Sequence, residues 1–177
     1  RIPHGSHNEK ELSDYLVKFA DNLGLKVKQD KLYNVIIYKP ASEGYENHPA
    51  VILQSHIDMV CEKNRDVVHD FDKDPIETYV DGDWLLAKGT TLGADNGIGV
   101  AAQLAILAAK DIEHGDLECL FTVDEETGLT GAYALSKDFL HGKCMINLDT
   151  EEEGEFYIGC AGGKGTTITF KYKESET

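Results

Sequence analysis

Val51-Ile-Leu-Gln-Ser-His56-Ile-Asp58 is the stretch whose reading decides the fold. It begins apolar and β-branched, the composition of a strand buried inside a sheet. It closes on an imidazole and a carboxylate two residues apart. Period two places those side chains on one face at the strand's end. In α/β proteins, chemistry gathers at the carboxyl ends of central strands. The bland alternative is a hydrogen-bonded surface pair, so the weight falls on what else converges there.

Working outward, further apolar strands are expected at 117–123 and 143–148, ending in Asp124-Glu125-Glu126 and in Asp149. Between them, Gly89-Thr-Thr-Leu-Gly-Ala-Asp95-Asn-Gly-Ile-Gly99 is a glycine-rich loop that opens a helix over 98–110. That helix is rich in Ala, Leu and Ile, and is expected to be buried against the sheet. If the strands are parallel neighbours, His56, Asp58, Asp95, Glu125, Glu126 and Asp149 all meet at one sheet edge. So many carboxylates in a small volume raise one another's pKa, and a divalent cation relieves the repulsion. Histidine with Asp and Glu, and no thiolate, suits zinc, with manganese or cobalt as further candidates. His56 then offers a ring nitrogen to the metal, and Asp58 holds its other nitrogen. One of the paired glutamates can bind metal while the other acts as general base. The competing reading of Asp124-Glu125-Glu126 is a solvated turn.

The flanks fill in the domain. Ser6-His-Asn-Glu9 has the form of a capping box, announcing a helix to residue 22 with Leu12, Tyr15, Leu16 and Phe19 on its buried face. Strands follow at 25–29 and 34–38. The excursion over 62–77 shows no period. Asp81-Gly82 marks a turn before a short strand at 83–88. A helix is expected at 129–135, and strands at 156–158 and 166–173.

The chain has 177 residues, enough for one domain with a sizeable core. Its formal charge is −15, from 32 acidic against 17 basic residues, which argues against nucleic acid or an anionic membrane as partner. Of the four cysteines, none forms a Cys-x-x-Cys pair, and Cys119 and Cys144 read as core thiols. That usage fits a reducing, cytoplasmic setting. Gly97-Ile-Gly99-Val-Ala-Ala102 loosely fits a dinucleotide fingerprint, but no strand runs into it and Asp95 would repel a pyrophosphate. No Gly-x-Ser-x-Gly elbow is present, which disfavours a serine nucleophile.

Five pieces together resemble the di-zinc aminopeptidase/carboxypeptidase family that includes aminoacylases and carnosinases. They are Gln54-Ser-His56-Ile-Asp58-Met-Val, the Gly89–Gly99 loop, Asp124-Glu125-Glu126-Thr-Gly128, Asn147-Leu-Asp149-Thr-Glu-Glu-Glu-Gly154, and Gly159-Cys-Ala-Gly-Gly163. The wording is similar to that of the bacterial Xaa-His dipeptidase branch. The resemblance implies a zinc-exopeptidase-like three-layer α/β sandwich with a mixed, largely parallel central sheet. Residues 1–163 would be the N-terminal part of the catalytic domain, and 164–177 the first strand of a lid or dimerisation domain. It implies that His56 and Asp149 bind one zinc, Glu126 the other, and Asp95 both. Asp58 would orient His56, and Glu125 would be the base. It implies a cis peptide at Asp95–Asn96.

In that family the second zinc takes a histidine from beyond position 177, so the chain is expected to be truncated and to lack that ligand. His4, His7, His48, His69, His114 and His141 match no motif and are read as loop or surface histidines. The expected function is hydrolysis of Xaa-His dipeptides by a zinc-activated water, in a full-length parent for which the resemblance suggests a homodimer through the lid, with this fragment weakly active or inactive. The alternatives are an N-acyl amino-acid hydrolase, a tripeptidase, or a non-catalytic metal- or peptide-binding fragment.

Overall fold

A computed structural model describes residues 1–150, 152, 154–160, 162 and 165–171. Helix α1 (Lys10–Asn22) leads into the hairpin of β1 (Lys26–Gln29) and β2 (Val35–Lys39). Strand β3 (Val51–His56) follows, then a hairpin of β4 (Thr78–Asp81) and β5 (Trp84–Ala87). Helix α2 (Ala94–Ala108), β6 (Leu117–Thr122), the one-turn α3 (Thr130–Tyr133) and β7 (Cys144–Asn147) complete the elements among the described residues.

The main sheet has the order β1-β2-β6-β3-β7. β3 lies between β6 and β7 and is parallel to both, while β2 is antiparallel to β1 and β6. The α/β class and the mixed sheet are therefore as expected, with β2 alone running against the others. The register pairs His56 with Thr122, and Gln54 with Asn147. It brings the ends of β3, β6 and β7 level, which is what gathers their terminal side chains.

The two faces of the sheet follow the period of two. Leu53, Cys119, Phe121, Val35 and Ile37 face α1 and α2, packing on Leu16, Ala20, Val100 and Leu107. Ile36, Ile52 and Leu120 face the other way, onto Phe139 of the segment after α3. Each fully buried aliphatic or aromatic side chain contributes about 1.5–3 kcal/mol, so the α1/α2 face is the chief source of stability.

The local endings have physical causes. α1 stops in a Schellman arrangement, with Leu25 N–H bonded to the Ala20 carbonyl and Gly24 N–H to that of Asp21. Gly24 takes the left-handed φ of +67° that this motif requires. At the far end of α2, Lys39 Nζ donates to the carbonyls of Ile106 and Ala109, satisfying two acceptors that the helix end leaves free. Burial lowers the Lys39 pKa.

Several local expectations are corrected. Ser6 and Glu9 do not form a capping box; neither side chain caps α1, and both bond elsewhere. Tyr15 is exposed, leaving Leu16 as the centre of the helix's inner stripe. α2 buries only one stripe (Gly99, Val100, Gln103, Leu107), and Ile98 is 72% exposed. A helix lying on one sheet has one covered side, and alanines on the other lose little by facing water. Cys144 is exposed, on a strand that lies at the edge of the sheet among the described residues. β4, which follows directly on the stretch without a period and which the sequence reading left unassigned, supplies the partner that the 83–88 strand needed. Residues 156–158 form no strand, nor do 166–171. A strand needs a neighbour, and no described residue pairs with either segment. The remainder of the 164–177 expectation, Lys164 and 172–177, lies outside the described residues.

Candidate metal centre

His56 ends β3 with its side chain 1% exposed, which disposes of the surface-pair reading. Its Nδ1 is 3.0 Å from the Asp58 carbonyl oxygen and 3.2 Å from Asp58 Oδ1. Backbone and side chain of one residue thus hold the same ring nitrogen. Nε2 is left to point at the sheet edge, 2.9 Å from Asp95 Oδ1 and 3.6 Å from Asp149 Oδ1. Asp95 arrives from the start of α2, where Asp95 and Asn96 depart from helical φ/ψ and the peptide between them is cis. Asp149 arrives from the chain just beyond β7.

Asn96 is the link between these two carboxylates. It is 2% exposed, and its Nδ2 donates to the Leu148 carbonyl at 3.0 Å and to Asp149 Oδ1. Gly99 makes room for it, since a Cβ there would lie 1.9 Å from Asn96 Oδ1 and 3.1 Å from the Leu148 Cβ. Gly99 is therefore a close-packing position that lets α2 tie to the end of β7.

The third contribution follows β6. Asp124 is buried, with a left-handed φ of +56°, and Glu125 and Glu126 are half-buried. The triplet is not a solvated turn. Asp58 Oδ1 accepts the Glu125 N–H at 3.0 Å and Asp58 Oδ2 the Glu126 N–H at 3.2 Å. Asp58 thus orients His56 and anchors the paired glutamates at once, a second task that the sequence did not signal.

One ligand atom each from His56, Asp95 and Asp149 lies within 4.8 Å of the others, and the same holds for His56, Glu125 and Glu126. The structure brings together all six residues singled out from the sequence. It also adds some that were missed. Ser6 Oγ donates to Asp58 Oδ2 at 2.8 Å, and Glu9 Oε1 accepts the Asp124 N–H at 3.0 Å. His7 Nδ1 is 3.1 Å from Asp124 Oδ1, and Thr127 and Thr130 also donate to the Asp124 carboxylate. The Ser-x-x-Glu spacing was visible in the sequence, but its nearest reading was a helix cap.

The electrostatics match a cation site. Burial alone would lower the His56 pKa, but Asp149 and Asp58 overturn that and raise it to about 11. Burial alone would raise Asp58; His56, the amides of Glu125 and Glu126, and the Ser6 hydroxyl bring it down to about 2. Glu125 is raised, first by burial and then by the surrounding carboxylates of Asp149, Asp58 and Asp95. Glu126 is raised by burial and by Asp95. A histidine held positive among acids reports a place that favours positive charge. A neutral ring nitrogen with several carboxylate oxygens is a donor set that suits a divalent metal. Clefts flank the group on both sides. One of about 170 Å³ runs past Glu125 and Asp149, with Gln54, Thr122 and Asn147 in its wall. Another of about 300 Å³ borders Asp95 and Glu126.

The sequence profile of peptidase family M20/M25/M40 matches residues 52–172. The chain belongs to this family. It is 53% identical over 162 residues to the cytosol non-specific dipeptidase of Escherichia coli K12, a match covering 92% of this chain and 33% of that protein. It is 54% identical to the aminoacylhistidine dipeptidase of Vibrio alginolyticus, whose crystal structure superposes with a TM-score of 0.84 over 86% of this chain and 31% of that one. A tripeptidase from Staphylococcus aureus superposes with a TM-score of 0.70 at 26% identity, covering 85% of this chain and 40% of the other. The chain spans about a third of the length of the first two relatives. No helix among the described residues is long and apolar enough to cross a membrane.

Proposed function

We propose that the polypeptide carrying this segment is a metal-dependent dipeptidase that accepts substrates with a C-terminal histidine. The observation that carries the reading is the convergence of Asp95 and Asp149 on His56 Nε2, with Glu125 and Glu126 sharing the same ring. His56 and Asp149 would hold one zinc, Glu126 a second, and Asp95 both, with manganese or cobalt as substitutes. A histidine outside residues 1–177 would complete the second site. Such metals, when bound, supply Lewis-acid polarisation of the peptide carbonyl and lower the pKa of water.

The chain's own residues do the rest. Asp58 keeps the Nδ1 proton of His56 in place, so that Nε2 presents its lone pair. The Glu125 carboxylate takes a proton from the water that attacks the peptide carbonyl and delivers it to the leaving nitrogen as the C–N bond breaks. The flanking clefts leave room for one residue of a dipeptide on each side. The dipeptidase names of the Escherichia coli and Vibrio alginolyticus relatives support the reading, and the first also supports a cytoplasmic location.

The test is a panel of Xaa-His dipeptides, other dipeptides, tripeptides and N-acyl amino acids, assayed with the purified, zinc-loaded full polypeptide that carries this segment and again after chelation. Turnover of dipeptides that stops on chelation and returns with zinc supports the proposal. A preference for tripeptides, which the Staphylococcus aureus likeness keeps in view, moves the substrate class. A preference for N-acyl amino acids does the same. Zinc binding with no turnover of any substrate leaves a metal- or peptide-binding module and overturns the dipeptidase reading.

A further inference from the structure

The segment before α1 makes contacts that the metal centre itself does not account for. Three consecutive backbone amides, those of Asp124, Glu125 and Glu126, each donate to a carboxylate from a distant part of the chain. Glu9 takes the first at 3.0 Å, and Asp58 takes the second and third at 3.0 and 3.2 Å. Glu9 is 5% exposed and Asp58 1%. Asp58 Oδ2 also receives the Ser6 hydroxyl at 2.8 Å. The segment is pinned beside the site by a parallel bridge between Gly5 and Met59. Its His7 lies against the Asp124 carboxylate. Helix α1 gives up both side-chain caps in this arrangement, since Ser6 and Glu9 are turned away from its amides.

We propose that Ser6 and Glu9 are positioning residues, which fix the Asp124–Glu126 backbone and thereby aim Glu125 and Glu126 into the site. The proposal rests on the peptidase reading for its effect on turnover, but not for the brace itself. Ser6 supplies the donor that fixes the rotation of the Asp58 carboxylate, and so the plane in which Oδ1 and Oδ2 meet two successive N–H groups. Glu9 holds the amide one residue earlier, where Asp124 turns through its left-handed φ. With three amides tethered, the two glutamates leave the turn in different directions with little freedom to exchange. Neither Ser6 nor Glu9 is among the side chains gathered round His56; each acts through the turn.

The experiment compares Ser6→Ala and Glu9→Ala with their conservative counterparts Ser6→Thr and Glu9→Gln. Lys10→Ala, on the exposed start of α1, serves as control. Two readouts are taken on the purified full polypeptide that carries this segment: kcat and KM for a dipeptide with zinc, and hydrogen exchange at the amides of 124–126. Loss of a charge-assisted hydrogen bond that positions a reacting group is expected to lower kcat about tenfold, with KM changed less than about twofold. Exchange at 124–126 is expected to rise about tenfold or more in the same two variants. Ser6→Thr keeps the hydroxyl and Glu9→Gln keeps the acceptor, so both are expected to stay near the parent. Exchange and kcat in Ser6→Ala and Glu9→Ala indistinguishable from Lys10→Ala overturn the brace. Faster exchange with kcat unchanged overturns the positioning role. If no peptide is turned over by the parent, the peptidase reading fails instead, and the exchange data still decide the brace.

Discussion

β6 and β7 flank the same strand, run in the same direction, and deliver carboxylates to the same histidine, yet they are built differently. β6 is paired on both sides and buried at Glu118–Thr122. Among the described residues β7 is paired on one side only, and all four of its residues are exposed. The turn after β6 is held by three amide–carboxylate bonds. The carboxylate after β7 depends on Asn96 and a backbone bond from Leu148 N–H to the Gln54 carbonyl. One side of the centre thus stands on packed core and the other on an edge strand cross-linked to α2. The lesson is that proximity at the site does not require equal rigidity beneath it.

The comparison is sharpened most by chemistry on the β6 side. Glu125→Gln is expected to lower kcat by about 10²–10⁴-fold while bound zinc, counted by atomic emission, stays at the parent level. Unchanged turnover would remove Glu125 as the base.

Next in size is the support itself. Phe121→Ala, in the core under β6, is expected to cost about 3–5 kcal/mol, whereas Ile146→Ala on β7 should cost less than about 1 kcal/mol. Urea unfolding of the metal-free protein measures both. Equal losses would break the contrast between a supported and an unsupported side.

Acid reaches the site through Asp58. Its folded pKa of about 2 lies below the ordinary value of about 3.9, so its contribution is fully present above that value and is lost as pH falls through about 2. The metal-free protein is expected to lose roughly 2 kcal/mol of stability across this interval, and Asp58→Asn to remove that part of the slope. Stability curves at successive pH values decide it; the same slope in the variant would assign it to other groups.

The smallest effect is kinetic and concerns thiols. Burial pushes Cys119 on β6 up to about 12, whereas Cys144 on β7 is exposed. Alkylation at neutral pH, followed by peptide mass mapping, should label Cys144 well before Cys119. Equal rates would mean that β6 opens as readily as the edge.

Much of this was legible from short patterns. A buried strand closing on His56 and Asp58, apolar runs ending in Glu125-Glu126 and Asp149, and glycines around Asp95 each carry a local signal, because period and composition report burial directly. The errors share one cause. Ser6 and Glu9 satisfy the spacing of a helix cap, and nothing local shows that better partners lie 52 and 115 residues away. Cys144 and the outer stripe of α2 are as apolar as buried segments, and exposure there depends on which neighbours lie beside them.

The sequence by itself therefore determined the donor types, the α/β alternation and the strand ends at which chemistry could stand. Those follow from side-chain chemistry and from the periods of helix and strand. Only the tertiary structure decided that β6, β3 and β7 are level and adjacent, that Asp58 serves both the histidine and the glutamate turn, and that the chain's beginning braces that turn. Register and long-range hydrogen bonding are properties of pairs of segments, and no single segment encodes its partner.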